Sequence, residues 1–189
     1  MEEAISIHEM RRKAPLHFLA KADNARFAAY VVHSLGNDAA IRFASDIDYG
    51  GTPSVGLYVS FLREAAIALE LIVKAVIAQR IESGVSKATV TKVRATHDLL
   101  ALWEDAGLQT LQKNDLSVLL DAKRVLYWSG RYAAPKSDKD SIKEEETEDS
   151  VVGRRTGGTL ADLASATLHW DAFSRIYLMA ATEFWKVRG

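Results

Sequence analysis

Two clusters carry the residue types best suited to chemistry. His97-Asp98 sets an imidazole beside a carboxylate, and Lys123-Arg124 is followed by Tyr127 and then by Arg131-Tyr132. An imidazole titrates near neutrality, so it can move a proton or hydrogen-bond a phosphate. Basic side chains next to aromatic rings can contact phosphates while the rings stack on bases, which is what a single-stranded RNA or nucleotide site needs. Each cluster also has a purely structural reading. His97 can bond a neighbouring loop, and Asp98 can favour the dipole of a helix that begins there. Tyr127 and Tyr132 can be core residues, with the basic groups solvated.

Other chemistries lack their parts. The chain has no cysteine, which rules out disulfides, thiolate metal sites and a cysteine nucleophile. Its five histidines, at 8, 17, 33, 97 and 169, never fall three or four residues apart, and no HExxH pair or carboxylate-rich calcium loop is present. Neither a metal nor a cofactor is expected. Gly50-Gly51-Thr52 and Gly157-Gly158-Thr159 lack both the spacing and the lysine of a phosphate-binding loop. With 24 basic and 25 acidic residues the net charge is −1, so any attraction to nucleic acid must be local. The acidic start Met1-Glu2-Glu3 shows no secretory signal, and charges interrupt every long apolar run. A cytoplasmic protein with no membrane partner is expected.

The elements that would position these residues read as helices, because apolar residues recur at three and four rather than two. The clearest stripe runs through Tyr58, Phe61, Leu62, Ala65, Ala66, Leu69, Ile72, Val73, Val76 and Ile77. Thr52-Pro53 marks its start and Gly84 its end. Glu70 and Lys74 lie on this helix four apart, the arrangement of a solvated pair. If Glu70 instead faces another helix, it could hold Arg94 or Arg131. A looser stripe spans 14–35, and 36–52 reads as a connector with one helical turn near 39–44. Thr96 is placed to cap a short helix ending at Gly107, Asn114 or Asp115 starts another, and Thr159 opens a last one reaching about Val187. Residues 133–158 hold Glu144-Glu145-Glu146 and Glu148-Asp149 and read as a mobile acidic loop. The whole, 1–189, is expected to be one all-α domain, an up-and-down bundle of four main helices plus short ones. Trp170 and Trp185 on the last helix are more aromatic surface than a small bundle is expected to cover, which points to a dimer face there.

In order, the long apolar helix, Thr96-His97-Asp98-Leu99-Leu100 and the Ser129-Gly130-Arg131-Tyr132 ending resemble the HEPN (higher eukaryotes and prokaryotes nucleotide-binding) helical domains. The resemblance spans about 80 of the 189 residues. It implies a HEPN-like bundle that binds RNA or a nucleotide through His97, Lys123, Arg124, Arg131 and Tyr132. It also implies a homodimer, and a defence or toxin-antitoxin setting with an antitoxin or nucleotidyltransferase as partner protein. Catalytic relatives carry an arginine, four to six residues, then a histidine. No histidine follows Arg131 at that distance, so weak or no ribonuclease activity is expected and no catalytic residue is assigned. Arg11 or Arg12 with His17 fits the spacing formally but encloses Pro15, and is the only route to a metal-independent endoribonuclease. The alternative is a protein-interaction or dimerisation module that binds no nucleic acid.

Overall fold

The 30-residue helix from Pro53 to Glu82 is the organising element, and its composition explains why. From Ala65 to Arg80 nearly every position is buried, so this helix has no solvent face along half its length. A helix that is apolar all round must be surrounded. In a computed structural model describing residues 13–84, 90–129 and 168–189, all the other elements pack against it. In chain order they are α1 (Pro15–Ser34), α2 (Asn37–Asp46), α3 (the central helix), α4 (Leu99–Asp105), α5 (Lys113–Arg124) and α6 (Trp170–Arg188). A π-helical turn, Val125–Ser129, continues α5. The described residues contain no strand. The protein is all-α, with four longer helices and two short ones.

Side-chain contacts fix the directions. Asp23 meets Tyr177 and Tyr30 meets Trp170, so α1 and α6 run antiparallel. Phe61 meets Phe173 and Arg80 meets Glu183, so α3 and α6 run parallel. At the centre, Leu62, Leu69, Ile72, Ile77, Leu99, Leu102, Leu119, Phe173 and Phe184 are fully enclosed. Tyr177 is also fully buried, and its hydroxyl donates to Asp23 at 2.7 Å. Burial, followed by the hydrogen bond and charge of Asp23, pushes that phenol well above its ordinary pKa.

Several helix ends follow the sequence expectation. Pro53 occupies the first turn of α3, and Gly84 and Gly107, both at positive φ, follow the ends of α3 and α4. Others differ. The connector 36–52 forms a ten-residue helix instead of a single turn. The cap of α4 is Asp98, whose carboxylate accepts from the Ala101 amide, while Thr96 accepts from the Asp98 amide one step earlier. Lys113, ahead of Asn114, begins α5. On α6, Phe173, Tyr177 and Phe184 point into the core, and only Trp185 of the aromatics is strongly exposed. The surplus apolar surface lies on α1 and α2.

Arg11, Arg12, Arg131, Tyr132, the acidic stretch 133–158 and the Thr159 helix start lie outside the described residues. Among the described residues no helix is long and apolar enough to cross a membrane.

Candidate functional site

Glu70 and Lys74 sit one turn apart on α3 with the spacing of a surface pair, yet both are buried. They pair at 2.6 Å, and the second carboxylate oxygen of Glu70 lies 2.7 Å from Nδ1 of His97. This corrects the solvated reading of the pair, because the loop carrying His97 and the end of α5 cover that face of α3. It also corrects the partner: Glu70 holds His97, and Arg94 pairs with Asp105 instead.

The result is a chain of charge from Lys74 through Glu70 to an imidazole. Lys74 fixes the carboxylate, and the carboxylate fixes the ring through one nitrogen. His97 is 45% exposed at its side chain, and Nε2 has no partner among the described residues. The ring is thus held at Nδ1 and partly exposed, with Nε2 unpaired among the described residues. Tyr127 meets it edge-on at 6.0 Å, and the two rings are nearly perpendicular.

Tyr127 reaches this place because α5 ends in the π-helical turn. A π turn carries one extra residue per turn, which shifts the face on which later side chains emerge; such turns are frequent at functional sites. Here it brings Val125 and Leu126 together with Arg63, Ile67, Glu70, Leu71 and His97 around a cleft of about 180 Å³. Its floor is apolar and its polar groups are the Arg63 guanidinium, the Glu70 carboxylate and the His97 imidazole. Such a lining suits a flat, mostly apolar ligand with a few polar atoms.

The basic residues expected at this site divide. Lys123 lies beside it, with Nζ 2.9 Å from Asp98 and 5.9 Å from the centre of the Tyr127 ring. Its charge is therefore shared with a carboxylate and an aromatic face. Arg124 is buried near Asp121 and does not line the cleft. Arg63 does, about half exposed, with Glu64 a loose 3.7 Å away. No motif marked Arg63. The retrievable signal was Glu70 and Lys74 themselves, two charges inside an otherwise unbroken apolar stripe.

Asp98 both caps α4 and pairs with Lys123. Burial works against its ionisation, but the Lys123 hydrogen bond, the Ala101 and Leu100 amides and the Lys123 charge outweigh it, so its pKa is lowered. A carboxylate with a depressed folded pKa stabilises the fold above its unfolded pKa, and that contribution is lost as pH falls through the folded value. Asp98→Asn is therefore expected to be less stable at pH 7 and to lose less stability than the parent between pH 5 and pH 2. Urea unfolding across that range checks it, and parallel curves would contradict it.

The described residues contain no group of three or more His, Asp or Glu side chains placed to hold a metal ion. Only one imidazole, that of His97, lines the cleft among the described residues. Compared with protein-family models, curated proteins and solved structures, the chain matches none.

Proposed function

We propose that this protein is a HEPN-like helical module that binds a nucleotide unit of single-stranded RNA, or a free nucleotide, at the His97 cleft, with weak or no cleavage of its own. The observation that carries this reading is the orientation of His97. Glu70, itself paired with Lys74, holds the ring through Nδ1, and the partly exposed ring, its Nε2 unpaired among the described residues, lines an apolar cleft. A base would lie against the His97 ring and the apolar floor of Ile67, Leu71, Val125 and Leu126, with Arg63 in the cleft and Lys123 beside it supplying cationic contacts for one or two phosphates. The single imidazole favours binding over cleavage, because transfer of a phosphoryl group is helped most by separate groups removing and delivering protons. Arg131 and Tyr132 are proposed as additional contacts on the basic-aromatic argument alone. A defence or toxin-antitoxin setting, with an antitoxin or nucleotidyltransferase as partner, belongs to the same proposal through the family resemblance.

Fluorescence anisotropy with a labelled single-stranded RNA at low salt tests this reading. His97→Ala is expected to weaken binding about tenfold, in the range of one lost base–aromatic stack at roughly 1–3 kcal/mol. Two phosphate contacts predict a shallow salt dependence, with log affinity falling by about 1.4 per log unit of salt. No binding of RNA or mononucleotide at low salt rejects the reading.

A further inference from the structure

Helix α6 faces two ways. Ala172, Phe173, Ile176, Tyr177, Ala180 and Phe184 are buried in the core. Arg175, Leu178, Met179, Thr182, Glu183 and Lys186 recur at intervals of three, one, three, one and three, which aligns them on another face of the helix over roughly 16 Å. Together with Trp103, Leu108 and Gln109, this second face lines a hollow of about 460 Å³, the size of a small-molecule site. None of these residues lines the His97 cleft.

The wall opposite α6 is built to keep its shape. Gly107, at a φ of 57°, turns the chain out of α4, and its amide donates to the Glu104 carbonyl at 2.8 Å. Past the turn, the Gln109 carbonyl accepts from the indole Nε1 of Trp103 at 2.9 Å. The single polar atom of that buried indole is thereby satisfied, so Trp103 leaves nothing to be hydrogen-bonded by an occupant. On the α6 side, Leu178 is 46% exposed, and Met179 is a flexible side chain that adapts to the shape of what it meets.

The charges set what an occupant must carry. Arg175 donates to the buried Asp115 of α5 at 2.5 Å, and Glu183 accepts from Arg80 of α3 at 2.5 Å, so each is balanced by a partner on another helix. Lys186 differs. Among the described residues it meets only Glu183, at 3.7 Å, a carboxylate already engaged by Arg80, and its side chain is 74% exposed. When the lining residues are counted with these partners, one positive charge is left over. A carboxylate supplies one negative charge at neutral pH, whereas a phosphate monoester carries about two. We infer that the hollow between α6 and the turn after α4 binds a small amphipathic monocarboxylate, its apolar body on Trp103, Leu108, Leu178 and Met179 and its carboxylate toward Lys186. The nucleotide reading does not enter this inference.

Octanoate is a suitable probe, with octanol and octylammonium as its uncharged and cationic counterparts. The chain has three methionines, at 1, 10 and 179, so isotope-labelled methionine methyls give a simple spectrum in which Met179→Leu assigns the signal of the hollow. On titration of the full chain, the Met179 methyl should move and saturate at millimolar octanoate. Octanol should bind about fivefold more weakly, the upper end for one exposed ion pair. Lys186→Met should remove that preference, and Leu178→Asp should weaken octanoate at least tenfold with unchanged helical circular dichroism. A Met179 methyl that stays in place at millimolar octanoate overturns the inference. So do equal affinities for octanoate and octanol, tighter binding of octylammonium, a Lys186→Met variant that still prefers the carboxylate, or parental affinity in folded Leu178→Asp.

Discussion

Arg80→Met, which comes close to the arginine in volume but has no guanidinium, should destabilise the protein by about 3 kcal/mol. Arg80 is 1% exposed, yet its guanidinium is the tie between three helices. It donates to the carbonyl of Ala106 at the end of α4 and to Glu183 on α6 at 2.5 Å. The Ala106 carbonyl belongs to a helix end, where the last carbonyls lack intrahelical donors, so the arginine serves as a side-chain cap delivered from α3. Methionine fills the volume but leaves that carbonyl unsatisfied and removes the charge facing Glu183. Glu183 is partly solvated and has Lys186 at 3.7 Å, which places the cost at the lower end of the roughly 3–5 kcal/mol seen on breaking buried pairs. The Nε of Arg80 has no hydrogen-bond partner among the described residues, so the arrangement already carries one unmet donor. Adding Glu183→Gln should therefore restore part of the loss. Thermal unfolding should show a decrease of about 6–12 °C for the single variant. A change under 1 kcal/mol would mean that Arg80 does not join these helices.

Glu70→Ala should cost a similar amount, about 3–5 kcal/mol, for a different reason. It strands Lys74, whose side chain is only 10% exposed, with no carboxylate to meet its ammonium, and it releases His97 at the same time. Glu70→Gln separates the two consequences. The amide oxygen still accepts from one neighbour while the charge is lost, so a cost of about 1.5–3 kcal/mol is expected, the range for a hydrogen bond to a charged group. Lys74→Met added to Glu70→Gln removes both charges and should recover stability relative to Glu70→Ala. Urea unfolding measures all three. Glu70→Ala with parental stability would show a pair that is solvated after all.

Much of this framework is legible in the sequence because it rests on local physics. The stripe from Tyr58 to Ile77 could bury itself only as a helix, and Thr52-Pro53 and Gly84 mark its ends through fixed φ and tolerance of positive φ. The ten-residue α2 is less legible because its only buried side chain is Ala40, so its apolar residues draw no inward stripe. Thr96 and Asp98 are both good caps two positions apart, and only backbone geometry chooses between them. The π turn has no compositional signature, although it sets the place of Tyr127. Glu70 and Lys74 show the same spacing whether solvated or buried. What decides their role is His97, 27 residues from Glu70 in sequence and supplied by tertiary packing.

The central claim is that His97 faces a nucleotide-sized ligand, and the most direct test follows the imidazoles by NMR. With the His97 ring signals assigned by comparison with His97→Ala, adenosine monophosphate or a short single-stranded RNA is titrated at low salt. The account predicts that the His97 resonances move and saturate while those of His33 and His169, at the other end of α1 and the start of α6, remain in place. Saturation that leaves His97 unmoved, or equal shifts at all three rings, would contradict it.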